Sequence, residues 1–542
     1  MKRIVFFLFI FAAFISAGQS GVGPTVKVKN GSLQGINTSG IGIFKGIPFA
    51  EPPVGELRWK EPQPVKNWEG ILDATKFGPC PMQAKVYGDM FFRADTMSED
   101  CLYLNVWTPA KTYEEKLPVL VYFYGGGYRA GDGSEPRYDG ESMARNGIVS
   151  VTVNYRLGVF GFLAHPGLSA ENDYKGSGNY ALMDQYAALK WVQENIAAFG
   201  GDPNRVTIAG ESCGSRSVCA QMASPLSKGL IAGAIGESGA LMNSTLVPSS
   251  LKKAEETGLQ FQKLADAGSI AELRAIPEQE LLEISGKPGA PYFVPNVDNY
   301  FLPDFPLAIF ENGEQADVPF LVGWNSEEMN FRFIFGMKEP TLENFKEVLE
   351  GLYGDRAEEA FELYHPESDA DVEQIATDLA GDRFAGFNSW KWMELHHNTA
   401  SSPLYRYFYS RPRPAMRAEM GNAQAGFAGG ITRNAEVVVE KKRKTGAVHS
   451  AEIEYALGNL PTNRVYDWQP EDYKVSEIVQ GFFINFIKTG NPNGFGVPYW
   501  PSTEKDMNVQ MHIDVESKAE IDPSAKRYEW LNQLPDELVG IE

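Results

Sequence analysis

The chain has 542 residues, of which 43% are hydrophobic and 12% aromatic, so it is long enough to bury a large core and is typical of a globular protein. Its formal net charge is −21. This acidity argues against nucleic acid and anionic membrane surfaces as partners, because proteins bind both through basic patches.

The N-terminus has the pattern of an export signal. Lys2 and Arg3 precede an apolar run over residues 4–15, and small residues suited to cleavage follow it. The run is too short for a membrane span, so the pattern predicts a signal peptide over residues 1–18 and a secreted or periplasmic protein. Residues 19–542 are predicted to form a single domain. No later segment has about 18 consecutive apolar residues, so we expect no stable membrane insertion.

Export makes disulfides possible, and the chain has four cysteines. Cys80 and Cys101 flank a polar, aromatic loop and are predicted to pair. Cys213 and Cys219 lie six residues apart on a predicted helix, where they face different ways, so we expect both to remain thiols.

Strand-like apolar runs alternate with helical patterns along the chain. The predicted strands are residues 119–124, 148–153, 206–209, 230–235, 318–322 and 404–408. The predicted helices are residues 181–197, a segment ending near residue 223, and residues 475–488. This alternation predicts an α/β fold with a large, mostly parallel sheet and helices on both faces. Segments 240–316 and 336–400 are richer in helical pattern and are predicted to be insertions that roof a pocket.

The stretch Gly210-Glu-Ser-Cys-Gly214 follows a predicted strand and precedes a predicted helix. In that context the pattern is typical of a nucleophile elbow, in which a serine occupies a strained turn. The two glycines remove side chains that would collide with neighbouring backbone, and the helix directs its first N–H groups toward developing negative charge. Ser212 is therefore the predicted nucleophile.

A glycine triplet follows the strand at residues 119–124, within Tyr124-Gly-Gly-Gly-Tyr128. Such a turn lets backbone N–H groups point into a cavity, as an oxyanion hole requires. We expect Gly126, Gly127 and Cys213 to supply these donors.

A nucleophilic serine also needs a base and an acid. In the chain order that goes with a nucleophile elbow, both residues come after the serine. Five of the six histidines come after Ser212, and His449 lies in a small-residue loop after a strand-like segment. Glu327 and Glu328 follow the strand at residues 318–322, and local pattern does not choose between them.

At this point the chain resembles the type-B carboxylesterases, the α/β hydrolases that include cholinesterases and para-nitrobenzyl esterases. The matching segments span nearly the whole mature length: residues 45–58, 98–105, 124–128, 154–156, 200–205, 210–214 and 237–239. The resemblance implies the α/β-hydrolase fold, a Ser–Glu–His catalytic triad and no metal or cofactor.

The resemblance also implies particular roles. It selects Glu328 over Glu327, because the family's acid lies five residues after the glycine that matches Gly323, and it places the histidine at His449. It supports the same three oxyanion donors and a disulfide between Cys80 and Cys101. The remaining positions that it assigns are Glu211 and Ser238 near the histidine, and structural ion pairs of Arg58 with Glu99 and of Arg156 with Asp184.

Departures from the family pattern concern the pocket. Cys213 replaces the usual alanine and, near a helix N-terminus, is expected to be sensitive to thiol reagents. Met329 replaces the usual glycine after the acid. Phe91 replaces the tryptophan that binds choline in cholinesterases, and because phenylalanine is a weaker cation–π partner we expect no cholinesterase activity.

Further candidate substrate-binding residues surround the motifs. Arg216, one helical turn after Ser212, and Arg129, beside the glycine triplet, could each recognise a carboxylate on an anionic ester, or could form structural ion pairs. Tyr128 is a candidate because it, too, lies beside the glycine triplet. Phe331 belongs to an aromatic group that could wall an apolar pocket or pack in the core.

The sequence therefore predicts a serine carboxylic-ester hydrolase that forms an acyl-enzyme with small to medium, apolar or aromatic, small-molecule esters. Two alternatives are a non-catalytic binding protein of the same fold and a narrow-specificity esterase for an anionic ester. The oligomeric state does not follow from the residues.

Overall fold

The structure, a computed structural model, describes residues 24–242, 246–433, 445–503 and 506–539. The signal peptide predicted for residues 1–18 lies outside these ranges. Within them, no helix has the length and apolar character needed to span a membrane.

The centre of the fold is an eleven-stranded sheet within the described ranges. Its strands in chain order, here β1 to β11, are Ile36–Thr38, Ile41–Pro48, Tyr103–Thr108, Leu117–Phe123, Val149–Val153, Gly201–Glu211, Gly233–Glu237, Phe320–Asn325, Leu404–Tyr409, Val509–Ile513 and Lys518–Ile521. Their order across the sheet is β11-β10-β9-β8-β7-β6-β4-β5-β3-β2-β1. The run from β10 to β5 is parallel, and antiparallel pairs flank it on both sides.

The central strands are apolar runs buried on both faces. Every residue of β5, β7 and β8 is buried, as are all but the first of β4. Parallel strands need this pattern because helices cover both faces of the sheet. The prediction of an α/β-hydrolase fold with a large, mostly parallel sheet is confirmed.

Helices connect and cover the strands. The longer ones are Tyr180–Asn195, Cys213–Ala223, Leu251–Leu264, Leu342–Tyr353, Asp369–Gly381, Phe387–Thr399 and Pro470–Thr489. The shorter ones are Glu141–Arg145, Gly158–Phe162, Pro166–Ala170, Ile270–Ala275, Glu278–Ser285, Pro306–Glu311, Arg332–Phe335, Ala357–Tyr364, Ile453–Ala456, Ala525–Leu531 and Asp536–Val539. The segments 240–316 and 336–400 contain eight of these helices between them.

Small sheets complete the structure. Thr25–Val28, Gly31–Gln34 and Ile71–Asp73 form a three-stranded sheet. The two-stranded pairs are Ser249–Ser250 with Asn296–Val297, Gln424–Ala425 with Ile431–Thr432, and Cys80–Pro81 with Met97–Ser98. In the last pair Cys80 lies opposite Met97 rather than Cys101. Cys80 and Cys101 are both buried and have free thiols, so the structure does not contain the predicted disulfide.

The two ion pairs that the resemblance implies are buried. The Arg58 guanidinium donates from Nε to Glu99 Oε1 at 2.6 Å. The Arg156 guanidinium donates to both carboxylate oxygens of Asp184, at 2.7 and 2.9 Å. Arg58 also donates to the backbone oxygens of Arg274 and Ile276, and Arg156 donates to that of Lys60, so both pairs join segments distant in sequence.

Candidate active site

Ser212 occupies a strained turn between β6 and the helix Cys213–Ala223. Its φ is 57° and its ψ is −121°, a conformation rare for a residue with a side chain. A Cβ atom added at Gly214 would lie 2.0 Å from the carbonyl oxygen of Phe123, and one at Gly210 would lie 2.5 Å from the carbonyl carbon of Gly214. The two glycines therefore let the turn pack directly against backbone, which is the local reason for the motif.

A continuous hydrogen-bond chain links serine, histidine and glutamate. His449 Nε2 lies 2.9 Å from Ser212 Oγ, and His449 Nδ1 lies 2.6 Å from Glu328 Oε2. The other oxygen of Glu328 accepts a bond from the backbone N–H of Asn325 at 2.7 Å. Glu328 is fully buried, so its carboxylate is available only to these partners.

The loop that carries Glu328 is tied to the loop that carries His449. The backbone N–H of Glu327 donates to Ala447 O at 2.8 Å, and Asn325 Nδ2 donates to Val448 O at 2.9 Å. The Glu327 side chain instead accepts a bond from Thr445 Oγ1 at 2.5 Å. Of the two carboxylates that local pattern left open, Glu328 is the one that faces the histidine.

The predicted oxyanion residues line the space beside Ser212. Gly126 and Gly127 have φ values of 122° and 65°, which glycine adopts without strain. A Cβ atom at Gly126 would lie 2.2 Å from Ala130 O, so the tight turn requires glycine there. Cys213, the first residue of the helix, lines the same cavity.

His449 is also close to Glu211, whose Oε1 lies 3.1 Å from His449 Nε2. Burial disfavours the charged imidazolium, but the carboxylates of Glu211 and Glu328 outweigh burial and raise the pKa of His449 from 6.5 to about 9. Burial raises the pKa of Glu211 itself, and the charge of His449 opposes that rise. Two carboxylates therefore stabilise the protonated histidine.

A further buried acid, Glu452, lies behind the histidine loop and was missed by the sequence reasoning. Its Oε2 accepts a bond from Asn325 Nδ2, at 2.5 Å, and Ser238 Oγ approaches its Oε1 at 3.5 Å. Burial raises the pKa of Glu452 to about 8, with the charges of Glu211 and Glu328 adding to the rise. An acidic residue in a loop is usually solvated. The sequence near Glu452, three residues after His449, therefore gives no indication that this residue is buried.

Ser212 and His449 line a cavity of about 440 Å³. Its apolar lining residues are Met90, Leu246, Met329, Phe333, Phe384, Phe427 and Ala428. Its polar lining residues include Tyr87, Arg137, Tyr138, Arg216 and Tyr292. Leu246, Tyr292 and Phe384 come from the two segments predicted to roof the pocket.

Only one of the predicted substrate-binding residues lines this cavity. Arg216 does so, whereas Arg129 lines a neighbouring cavity of about 110 Å³. Tyr128 is fully buried against Phe162, with ring centroids 4.7 Å apart. Phe91 is 65% exposed, because the adjacent Met90 is the residue whose side chain faces inward.

Phe331 also lies outside the cavity lining. Its ring packs edge-on against Phe335 and under the guanidinium of Arg332, at centroid distances of 6.1 and 4.5 Å. Phe333, two residues later, lines the cavity instead. Members of one short helix face different directions, so the aromatic group contributes one side chain to the cavity rather than three.

Burial also changes the expectation for Cys213. Its thiol is buried, and burial raises its pKa even though the charge of Arg216 lowers it. The thiolate is the form that reacts with thiol reagents, so burial opposes the sensitivity that is expected from the helix N-terminus.

A second serine–histidine–glutamate group lies at the far side of the sheet. Ser410 Oγ is 2.7 Å from His512 Nε2, and His512 Nδ1 is 3.1 Å from Glu520 Oε1. Ser410 does not have a positive φ, and it lines neither of the two cavities described above. The trio of Ser410, His512 and Glu520 therefore has neither the strained turn nor the glycine N–H donors that an acyl-transfer site needs.

The sheet order, the turn at Ser212 and the hydrogen-bonded trio at the carboxyl ends of the strands define the α/β-hydrolase class. Comparison with known families identifies the family within this class. The model of the carboxylesterase family matches residues 22–531. The chain therefore belongs to the carboxylesterase family, and it is a carboxylic ester hydrolase.

Named relatives agree with this assignment. The chain is 33% identical to a para-nitrobenzyl esterase of Bacillus subtilis (strain 168), over 93% of this chain and 98% of the relative. It is also 33% identical to a fumonisin B1 esterase of Sphingopyxis macrogoltabida, over 88% of this chain and 84% of the relative.

Solved structures show the same fold. A para-nitrobenzyl esterase structure matches with a TM-score of 0.76 and 30% identity, covering 94% of this chain and 99% of the other. A carboxylesterase structure from Geobacillus stearothermophilus matches with a TM-score of 0.77 and 29% identity, covering 93% of this chain and 99% of the other.

Proposed function

We propose that Ser212 is the nucleophile of an acyl-enzyme mechanism in which His449 is the general base and acid and Glu328 orients the histidine. The observation that carries this proposal is the hydrogen-bond chain from Ser212 Oγ through His449 to Glu328 at the wall of the cavity. The strained turn and the adjacent glycines support the same assignment.

In the acylation step His449 Nε2 takes the proton from Ser212 Oγ as that oxygen bonds to the ester carbonyl carbon. The carbonyl oxygen becomes an oxyanion, which the backbone N–H groups of Gly126, Gly127 and Cys213 stabilise. When the intermediate collapses, the bond to the alcohol oxygen breaks and His449 returns its proton to that oxygen. The alcohol leaves and the acyl group remains on Ser212.

Deacylation repeats the chemistry with water. His449 takes a proton from the water as its oxygen bonds to the acyl carbon, and the bond to Ser212 Oγ then breaks as the serine regains a proton. The products are the carboxylic acid and the free enzyme. Glu211 stabilises the charged histidine in both steps because it lies 3.1 Å from Nε2, and Ser238 supports Glu452 behind the histidine loop.

We further propose that the substrates are small to medium esters with an apolar or aromatic portion. The cavity volume of about 440 Å³ and the three phenylalanines Phe333, Phe384 and Phe427 in its lining support this substrate class. Burying an aromatic ring against such a wall contributes binding free energy without a directional polar contact.

The test is hydrolysis of para-nitrophenyl acetate, butyrate and octanoate by the wild type and by Ser212→Ala. We expect the variant to lose about 10⁴-fold or more of kcat, because the whole nucleophilic route is removed. The matched control is Ser410→Ala, which removes the same hydroxyl from the second trio and should retain wild-type turnover. Loss of activity in Ser410→Ala with retention in Ser212→Ala would reverse the assignment.

Absence of turnover from well-folded wild-type protein would contradict the proposal and favour a binding protein of the same fold. The change of rate with acyl length reports the depth of the acyl side of the cavity.

We also propose that the protein is exported and that Cys80 and Cys101 pair in an oxidising compartment. The charged and apolar start of the sequence supports export. Export to an oxidising compartment would in turn allow the two buried cysteines to pair. Mass spectrometry of the mature protein before and after reduction tests both points. A mature chain that retains residues 1–18, or two alkylatable thiols at these positions without reduction, would contradict them.

A further inference from the structure

Gly127, one of the proposed oxyanion donors, lies between two peptide groups that are held by different parts of the chain. The peptide group before it contains the Gly127 N–H, and the carbonyl oxygen of that group, Gly126 O, accepts bonds from the backbone N–H groups of Arg129 and Ala130, both at 3.1 Å. The peptide group after it has its carbonyl oxygen, Gly127 O, bonded to the Tyr292 hydroxyl, which donates. The turn itself therefore holds the first peptide group, whereas a residue 165 positions away holds the second.

The bond from Tyr292 matters because the backbone of glycine is conformationally permissive. Gly127 has a φ of 65°, which glycine adopts without strain, and it has no side chain to pack against a neighbour. Its φ and ψ are therefore set by what holds the two peptide groups. Tyr128 is fully buried and its carbonyl oxygen accepts a bond from the N–H of Gly158 at 2.7 Å, so the chain is fixed again directly after this glycine. Between these two fixed points, Gly127 O is held by a side chain from another segment.

Tyr292 is itself held in place by its neighbours. The Arg129 guanidinium lies over its ring, 5.2 Å from the centroid. The next residue, Phe293, is buried and packs edge-on against Phe261 of the helix Leu251–Leu264, with ring centroids 5.4 Å apart. A hydroxyl that is supported in this way by packed elements can fix the position of a flexible turn.

The same side chain faces the substrate cavity. Tyr292 lines both the cavity of about 440 Å³ and the neighbouring cavity of about 110 Å³. A Cβ atom added at Gly127 would lie 2.9 Å from Tyr87 Oη and 3.1 Å from Tyr292 Oη, so the absence of a side chain there permits the close approach of the hydroxyl. Tyr292 therefore joins the segment that roofs the cavity to the glycine turn beside Ser212.

We infer that Tyr292 is a positioning residue for the reaction: its hydroxyl holds Gly127 so that the N–H of this glycine points at the developing oxyanion. The negative charge develops in the transition state and not in the bound ester, so a misplaced donor raises the barrier without weakening the binding of the ester. Removal of the hydroxyl should therefore lower kcat and leave KM nearly unchanged. This inference rests on the proposed acyl-enzyme function and adds a residue of the roof to its machinery.

The experiment replaces Tyr292 by phenylalanine, which keeps the ring between the cavities and removes the hydroxyl. We expect Tyr292→Phe to lower kcat for para-nitrophenyl butyrate by about 10-fold, with KM within a factor of about two of the wild-type value, because a small displacement of a donor has a large effect on the transition state. A change in KM with unchanged kcat would assign Tyr292 to the binding of the ester and would overturn the inference. Wild-type values of both constants would overturn it as well.

Tyr300→Phe is the matched control. Tyr300 belongs to the same segment and its ring stacks on that of Tyr174, with centroids 4.3 Å apart, but it lines neither of the two cavities. The variant loses the same hydroxyl from the same segment, so we expect the wild-type kcat. An equal fall in kcat in both phenylalanine variants would show a general effect on the segment and would overturn a specific role of the bond to Gly127.

Inhibition separates the position of the donors from the shape of the cavity. With butyl trifluoromethyl ketone, Ser212 Oγ bonds to the carbonyl carbon, the serine proton moves to His449 and the carbonyl oxygen becomes an oxyanion, whereas n-hexanol binds without a reaction. We expect Tyr292→Phe to raise the inhibition constant of the ketone by about 10-fold and to leave that of the alcohol unchanged. The ratio of the two constants does not depend on the fraction of the protein that is folded. An equal change in both constants would mean that Tyr292 acts on the shape of the cavity, and would overturn the inference.

Two results separate this inference from the proposed function. Wild-type kcat in Tyr292→Phe, with all hydrolysis lost in Ser212→Ala, overturns the inference alone. Hydrolysis that persists in Ser212→Ala overturns the proposed function and the inference with it.

Discussion

His449 is held between two carboxylates, and this arrangement sets the pH range in which it can act as a base. Glu328 bonds to Nδ1 at 2.6 Å, while Glu211 lies 3.1 Å from Nε2, on the side of the serine. Both favour the imidazolium that forms when Ser212 loses its proton. The same attraction keeps the histidine protonated in the free enzyme, where its pKa is raised to about 9.

The pH dependence of kcat/KM follows from this raised pKa. Only neutral His449 can accept the serine proton, so activity on a neutral ester should rise with pH through a midpoint that lies above 6.5, toward 9. Glu211→Gln removes one of the two stabilising charges and should move the midpoint to lower pH by at least about 1 unit. The measurement is the pH profile of kcat/KM for para-nitrophenyl butyrate.

Glu327→Gln is the matched control for this profile. Glu327 is adjacent in sequence to the acid of the trio, but its carboxylate binds Thr445. The variant should therefore reproduce the wild-type midpoint. If Glu211→Gln also leaves the midpoint in place, the account of the histidine's raised pKa is wrong.

The turn that carries Ser212 requires a close approach between the helix Cys213–Ala223 and strand β4. The helix Cys213–Ala223 begins directly against the end of β4, and the space for a side chain at Gly214 is occupied by the backbone of Phe123 and Tyr124. That backbone continues into the glycine triplet. The positions of the proposed nucleophile and of the proposed oxyanion donors are therefore coupled through one contact.

Gly214→Ala should break this contact. The added Cβ would lie 2.0 Å from Phe123 O, and neither backbone segment can rotate away as a side chain could. We expect a loss of about 3 kcal/mol of stability and of about 100-fold or more in kcat, because the donors move relative to Ser212. Thermal unfolding and hydrolysis of para-nitrophenyl butyrate measure the two effects.

Gly351→Ala provides the comparison within a helix. Gly351 lies in the helix Leu342–Tyr353, and no atom lies within 4 Å of a Cβ atom added there. Since alanine has a higher helix propensity, this variant should be as stable as the wild type or more stable by up to about 1 kcal/mol, with unchanged activity. Equal destabilisation by both substitutions would mean that the close approach at Gly214 is not the cause.

At the scale of the whole molecule, the sequence predicts best those elements whose conformation is determined by neighbouring residues in the chain. Central parallel strands are buried on both faces, so they appear in the sequence as continuous apolar runs, and β4, β5 and β9 begin and end within two residues of the prediction. Strand β10, which lies between β9 and the edge strand β11, was missed because its sequence alternates polar and apolar residues instead of forming a continuous apolar run. The strained turn at Ser212 could be predicted for the same local reason, since it requires glycine two residues before and two residues after the serine.

The walls of the cavity could not be predicted in this way. Tyr87, Tyr292 and Phe384 are separated by more than ninety residues from one another and meet only because the insertions fold over the sheet. The inward direction of Met90 rather than Phe91, and of Phe333 rather than Phe331, depends on loop and helix rotation that local composition does not specify. Sequence motifs therefore predict the type of reaction, but they do not predict which substrates the cavity accepts.

The same whole-molecule view separates residues that hold the fold from residues that act on substrate. Arg156 follows β5, and Asp184 lies on the helix Tyr180–Asn195, so their two bonds join distant segments in the interior. Arg156 Nη2 also donates to Lys60 O at 3.0 Å, which ties a third segment to the pair. Neither residue lines the cavity of about 440 Å³.

Asp184→Asn should consequently lower stability without changing specificity. The variant leaves the buried Arg156 guanidinium without a compensating charge, which costs about 3–5 kcal/mol when one partner of a buried pair is removed. By contrast, Glu141→Gln removes one partner of the exposed Glu141–Arg145 pair and should cost less than about 1 kcal/mol. Urea unfolding of both variants measures the difference, and KM for para-nitrophenyl butyrate should stay within a factor of two of the wild-type value. A large change in KM for Asp184→Asn, with little loss of stability, would place this pair in the binding of substrate instead.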